Sequence, residues 1–343
     1  MKSVGVARVK NELDIIEPFV RHHSEHFDKL IILDDGSTDG TYQALQQLQP
    51  ACGNLIVLRE PVIGYEQRRY MTLLSRMAVD KFGADWVVPL DADEFVEPVD
   101  GLSLADVLAC LQPAIYELQW SNFIWRPELE HGDERNPVLR QRFRLPPHSQ
   151  NSKLLIHSQF VNETLEISTG NHLLMDSGSP LPKQPLERAT LCHYPIRSVA
   201  QYAGKIAVGY LQYLATPDWD RQQGFHYIEP FQELAKFGLE GVAKRIVRDS
   251  LFYSIAESDR AKDDPVAIEA PLNYLGGALT LTPCGDFVLQ NVLRYVEMMA
   301  AEFVDKVERS RDFDRVSTEN VLLRKRLAEL EFEFLNSREK EIL

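Results

Sequence analysis

Three carboxylates close the segment Trp86-Val-Val-Pro-Leu-Asp-Ala-Asp-Glu-Phe95, where Asp91, Asp93 and Glu94 follow directly on an apolar run. Anions this close repel one another, and withdrawing them from water is costly without a cation or hydrogen-bond donors. A divalent ion with oxygen ligands is the simplest compensation, and it implies a phosphorylated substrate. A second acidic segment, Asp34-Asp35-Gly36-Ser37-Thr38-Asp39-Gly40, also follows an apolar run. Its composition is that of a turn, and its carboxylates can accept hydrogen bonds from a nucleobase or ribose. An EF-hand loop counted from Asp35 fails at its twelfth position, which is Gln46 and not a bidentate Glu.

The elements that must position these groups alternate. The spacing predicts strands over Val4–Val9, Lys29–Leu33, Asn54–Arg59 and Trp86–Leu90, and helices over Leu13–His26, Thr41–Gln49 and Glu66–Phe82. Strands joined by helical crossovers form a parallel sheet with helices on both faces. Right-handed crossovers then bring Asp34, Asp35, Asp91 and Asp93 to one sheet edge, where ligands bind in such folds.

From Ala114 to His193 short alternating runs take over: Ile115–Trp120, Leu139–Leu145, Lys153–Phe160, Thr164–Ser168 and Thr190–Tyr194. They predict an antiparallel extension with long loops, of which Pro180–Pro185 reads as a mobile one. Helices dominate beyond Val199. The expected divisions are an α/β domain over 1–210, a helical extension over 211–302 and an amphipathic helix over 303–343. In the last, Phe313, Val316, Asn320, Leu323, Leu327, Leu330 and Phe334 fall 3-4-3-4-3-4, a heptad seam with Asn at an a position. Such a seam predicts a parallel two-stranded coiled coil, hence a homodimer through 313–334.

A net charge of −14 argues against a nucleic-acid partner. Four scattered cysteines suggest neither a zinc site nor a disulfide framework, which fits a reducing cytoplasm. The N-terminal run carries charge where a secretory leader would be apolar, and no run approaches the roughly 20 apolar residues that span a bilayer. Any membrane contact would be peripheral, at the inner face.

Taken together, Arg8-Val-Lys-Asn11-Glu12, Leu33-Asp-Asp-Gly-Ser-Thr-Asp-Gly-Thr41, the Asp91-x-Asp93 segment and His193-Tyr-Pro-Ile-Arg197-Ser198 resemble the GT-A glycosyltransferases, most closely family 2-like enzymes. The resemblance covers residues 1–210. It implies a Rossmann-like mixed sheet, a nucleotide-sugar donor and a saccharide or lipid-linked saccharide acceptor. It also implies Mn²⁺ or Mg²⁺ as cofactor. Carried over by position, Asp34 and Asp35 contact base and ribose. Asp91 lies near ribose and metal, Asp93 is the principal metal ligand and His193 the second. Arg68, opening the helix after the third strand beside Gln67 and Arg69, is the arginine expected at the nucleotide. Lys205 could neutralise the diphosphate or simply face solvent.

An inverting enzyme also needs a base to deprotonate the acceptor hydroxyl. The candidates are His172 and Glu163, with Asp176 and Asp133 behind them; no Glu-Asp pair occurs where many family 2 members carry one. Glu94, Asn11 and Glu12 also admit structural roles, as a support beneath the metal site and as helix caps. The implied activity is a metal-dependent sugar transfer, as in the building of a bacterial surface polysaccharide. One rival is a nucleotidyltransferase of related fold, which should carry a Gly-rich signature after the first strand where this chain has Val9-Lys-Asn-Glu12. The other is a non-catalytic coiled-coil assembly module with a degenerate transferase domain.

Overall fold

The strand β1 (Ser3–Val9) is buried at almost every position, as the middle of a parallel sheet requires. The computed structural model describes residues 1–130, 133–216, 224–253, 266–281, 292 and 294–302. In it β1 is followed by α1 (Ile16–Ser24), β2 (Lys29–Asp34), α2 (Thr41–Leu48), β3 (Leu55–Arg59), α3 (Gln67–Asp80) and β4 (Trp86–Leu90). The strands lie in the order β3-β2-β1-β4, all parallel. The chain steps outward from β1 to β3 and then returns to the other side of β1 with β4. By the right-handed rule that reversal puts α3 on the opposite face from α1 and α2. The packing agrees: α1 touches β2 and α2, while α3 touches β1, β2 and β4.

The reversal leaves a crevice between the C-terminal ends of β1 and β4, the topological switch point where α/β sheets take ligands. Ala7 pairs with Leu90 across it, so Asn11 and Glu12 emerge beside Asp91 and Asp93. The apolar layer beneath is Ala7, Val9, Ile15, Ile16, Phe19, Val20, Leu30, Ile32, Val88 and Leu90, each at most 2% exposed. Each large side chain so enclosed contributes about 1.5–3 kcal/mol.

Beyond β4 the sheet becomes mixed. β5 (Glu94–Pro98) begins after a three-residue turn, and α4 (Leu104–Ala109) follows with a Ser103–Asp106 capping box. Next come β6 (Ile115–Asn122), α5 (Pro137–Arg140), β7 (Phe143–Arg144) and β8 (His148–His157). The small strands β9 (Leu165–Ile167), β10 (Leu174–Asp176), β11 (Ser179–Pro180) and β12 (Gln184–Pro185) lead to β13 (Ala189–His193). The sheet continues β4-β8-β6-β13-β5, with β12 also on β6. β8 is antiparallel to both neighbours, whereas β13 runs parallel to β6 and antiparallel to β5. The helices α6 (Val199–Leu214) and α7 (Phe225–Leu251) pack on each other, and β14 (Ile268–Glu269) pairs with β7.

Several expectations need correction. The run Leu139–Leu145 starts inside α5 and holds only the two-residue strand β7, because Asn136 accepts from Val138 N at 3.0 Å and Pro137 starts the helix. The stretch 180–185 is tied into sheets rather than free: Leu181 N donates to Leu174 O, and β12 lies along β6. β5 was not foreseen. The boundary expected after residue 210 falls inside α6, and residues 1–295 form one compact unit, with 296–343 a second. The heptad seam over 313–334 lies outside the described residues. Among the described residues no helix is long and apolar enough to cross a membrane.

Candidate functional site

A cavity of about 1010 Å³ opens at the switch point. Its floor comes from the β1 and β4 ends, and its walls from the Ser168–Met175 segment, α6 and the start of α7. Asp91, Asp93, Arg68, His172 and His193 all line it, whereas Asp34, Asp35 and Glu163 do not.

The register places His193. Along β13 it pairs with Glu94 on β5 and with Asn122 on β6. Asn122 Oδ1 lies 2.8 Å from His193 Nδ1 and so accepts its proton, which leaves the lone pair on Nε2. That nitrogen faces Asp93 Oδ1 at 3.7 Å, and the ring stacks on Trp120 at 4.2 Å. Burial lowers the His193 pKa and favours the neutral ring. A lone pair opposite a carboxylate oxygen is repulsive unless a cation lies between them.

Asp93 is itself 3% exposed. Burial alone would push its carboxyl up, but the Lys205 ammonium first and then the Arg197 guanidinium hold it well below the usual carboxylate range. Lys205 Nζ donates to Asp93 Oδ2 at 2.6 Å, and Arg197 Nη1 stands 3.8 Å from the same oxygen. Arg197 is fully enclosed and bound on every side, by both oxygens of Asp14 at 2.6 and 2.8 Å, by Glu12 at 2.5 Å and by Tyr194 O at 3.0 Å. Glu12 therefore does not cap α1 with its side chain. Burial pushes its pKa up to about 7 against the pull of Arg197.

Asp91 has a different retinue. Its Oδ2 accepts from Lys153 Nζ at 2.6 Å and its Oδ1 from Gln67 Nε2 at 2.8 Å. Lys153, 1% exposed on β8, also reaches Glu94 Oε1 at 3.2 Å and Gly170 O at 2.7 Å. Two acceptors, Asp91 and Gly170, thus take protons of the ammonium, and Glu94 adds an ion pair. Glu94 Oε2 accepts from Asp91 N at 2.8 Å, so Glu94 braces the acidic turn from below. Sequence reasoning missed Lys153, although a lysine inside the apolar run Lys153-Leu-Leu-Ile is itself a sign of a buried counter-charge.

His172 reaches the cavity from the turn after β9. Its Nδ1 lies 2.8 Å from Ser152 O and donates to it, so Nε2 is again the accepting nitrogen. Burial brings its pKa down to about 4. Gly170, at φ +79°, makes room for this ring, since a Cβ there would stand 2.5 Å from His172 Nε2. Glu163 is exposed on the far side of that segment, with its carbonyl held by Arg76 at 2.6 Å. Asp34 and Asp35 are fully buried. Asp34 accepts from Ser37 N at 3.1 Å. Asp35 holds the Arg8 guanidinium and accepts from Val62 N at 2.9 Å. Their place at the cavity is taken by Arg8, Lys10, Tyr65 and Asp39. Arg68 stands at the rim, paired with Glu166. Asn11, at φ +56°, accepts from Thr38 N at 2.7 Å and locks the two strand-end loops together.

Among the described residues no group of three or more His, Cys, Asp or Glu is arranged to hold a metal alone. The Asp93–His193 pair nevertheless fits a divalent ion that takes its remaining ligands from phosphate and water, as such ions do in nucleotide sites. The outward Nε2, fixed by Asn122 at the other nitrogen, is the arrangement that metal-ligating histidines adopt.

Residues 8–151 match the model of the family described as glycosyl transferase family 2. No curated protein matches the chain. Among solved structures, S. aureus TarS 1–349 in complex with UDP is 14% identical, over 68% of this chain and 71% of that one, with a TM-score of 0.36. The mannosyltransferase PcManGT from Pyrobaculum calidifontis, in complex with GDP-Man and Mn²⁺, is 15% identical over 73% and 75%, with a TM-score of 0.36. GalNAc-T7 with UDP, GalNAc and Mn²⁺ is 12% identical over 72% and 57%, with a TM-score of 0.34. Likeness at this level fixes neither substrate nor reaction.

Proposed function

We propose that the protein moves a sugar from a nucleoside-diphosphate sugar to an acceptor hydroxyl in a single inverting displacement, a reading supported by the match of residues 8–151 to the glycosyl transferase family 2 model. The observation that carries this reading is the opposition of His193 Nε2 and Asp93 Oδ1 at 3.7 Å inside the switch-point cavity. A Mn²⁺ or Mg²⁺ ion held by Asp93 and His193, with Asp91 beside them, would offset the charge that builds on the departing diphosphate.

The chain's own residues do the rest. Lys153 and Gln67 hold Asp91 in place, toward the ribose and diphosphate side. Asp34 and Asp35 act on the nucleotide from below. Asp35 braces Arg8, whose guanidinium lies 5.1 Å from the Tyr65 ring centre, and together these offer a face to the base. Arg68 contributes positive charge at the rim. His172 lines the cavity with its Nδ1 proton given to Ser152 O, and in this reading its Nε2 takes the acceptor proton. Glu163, the other candidate, does not line the cavity. A saccharide or lipid-linked saccharide, as in bacterial surface polysaccharide assembly, is the acceptor class that the family resemblance implies, and such an enzyme would work in the cytoplasm at the inner membrane face.

The test is calorimetric titration of UDP and GDP into the full chain, with and without Mn²⁺, and into Asp93→Asn. The wild type should bind one of them, more tightly with Mn²⁺, and Asp93→Asn should lose the Mn²⁺ enhancement. Failure of both nucleotides to bind would overturn the reading.

A further inference from the structure

Three cations surround the acidic turn, and they differ in freedom. Arg197 is held by Asp14, Glu12 and Tyr194. Lys153 is 1% exposed, donates to Asp91 and Gly170 and is ion-paired to Glu94. Lys205 is different. Its ammonium donates to Asp93 Oδ2 at 2.6 Å and, at 3.3 Å, to Pro195 O. Its side chain keeps 17% of its exposure at the cavity wall. The ammonium also stands 5.2 Å from the Tyr253 ring centre, and the neighbouring Gly204 lines the cavity, where a Cβ would meet nothing within 4 Å among the described residues. Four rotatable bonds can carry this charge into the cavity.

An ammonium and a divalent ion cannot both sit closely on one carboxylate without strong mutual repulsion. Asp93 is the carboxylate that His193 faces. Resting on the donor reading above, we propose that Lys205 is a counter-ion held on Asp93 in the free protein and surrendered to the diphosphate when nucleotide binds. The diphosphate gives the ammonium a better acceptor, Asp93 is released, and the metal enters with the nucleotide. Metal and nucleoside diphosphate therefore bind with positive coupling, which must be reciprocal.

The experiment measures Mn²⁺ binding to the full chain by the loss of the free-ion EPR signal, with and without saturating UDP or GDP, after correction for Mn²⁺ bound to free nucleotide. Wild type should take Mn²⁺ about 10-fold or more tightly with nucleotide, within the usual range of about 5–150-fold for coupled sites. Lys205→Met should bind Mn²⁺ alone about 10-fold more tightly than wild type, with the coupling reduced to the part that direct phosphate ligation of the ion supplies. Lys205→Arg, which keeps the charge, should behave like wild type. Lys205→Gln serves if the Met variant does not fold. Equal Mn²⁺ affinity of wild type and Lys205→Met without nucleotide, while nucleotide still binds, would overturn the exchange and leave the donor reading intact. Absence of nucleotide binding in the wild type would overturn both.

Discussion

His193 owes its chemistry to Asn122. The pair joins two strands, and the Asn carbonyl decides which imidazole nitrogen carries the lone pair toward Asp93. Asn122→Ala should therefore lower Mn²⁺ affinity in the presence of nucleotide by about 10–100-fold, the usual effect of removing such a partner. Unchanged affinity in the same titration would remove the histidine from the metal site. Lys153 makes a second residue-scale case. Lys153→Met leaves the buried Glu94 and the half-buried Asp91 without their cation, which should cost about 3 kcal/mol in urea unfolding. Adding Glu94→Gln should recover part of that loss, because the residual charge is then smaller. The sequence made the carboxylates legible, since Asp-x-Asp-Glu after an apolar strand has few innocent explanations. It could not reveal Asn122 or Lys153 as their keepers, because those contacts cross 71 and 62 residues through sheet register. It also left Asp34 and Asp35 looking like surface contacts, since turn composition says nothing of the Arg8 and Arg59 that enclose them.

At the scale of elements, α1 and β1 show how tightly the site's scaffold is built. Gly5 lies at the centre of β1, where a Cβ would stand 2.8 Å from the Phe27 ring and 3.0 Å from Leu30. Gly5→Ala should thus cost about 1–3 kcal/mol through overpacking, read as a lower denaturation midpoint. On α1, His22 and His23 are fully buried, and each ring both donates and accepts. His22 bonds Val96 O and Leu275 N, while His23 bonds Phe19 O and Val96 N. Burial lowers His22 to about 3 and His26 to about 4, and His23 lies well below its ordinary value. The unfolded chain takes up these protons near pH 6.5 and the folded chain does not. Stability should consequently be full above pH 6.5 and fall as pH drops from there toward about 4, by up to about 1.4 kcal/mol per pH unit for each histidine. His22→Gln should flatten that slope in denaturation curves taken across the range; an unaltered slope would acquit the histidine. The first four strands and three helices were legible because short, nearly continuous apolar runs alternate with stretches of 3.6-residue period. β5 was not, because Glu94 and Glu97 make a paired strand look like an acidic loop.

For the whole molecule, the described chain to Tyr295 is one unit and residues 296–343 are another. The heptad seam falls wholly in the second, so its meaning rests on sequence physics. Apolar residues at Phe313, Val316, Leu323, Leu327, Leu330 and Phe334 make a continuous stripe that a lone helix would leave in water. Asn320 interrupts it at an a position, where paired Asn side chains satisfy each other across a parallel dimer and penalise other registers. The full chain should therefore sediment as a dimer at micromolar concentration. Leu323→Asp combined with Leu330→Asp puts charges into two d layers and should yield a monomer that keeps its nucleotide affinity, because the described residues that line the cavity all lie within 1–295. Asn320→Leu should strengthen association while loosening oligomer choice, seen as a mixture of larger species. A wild-type monomer, or a double variant that remains dimeric, would show that the stripe is not the dimer contact. A monomeric variant that also lost nucleotide would instead show that pairing shapes the catalytic unit.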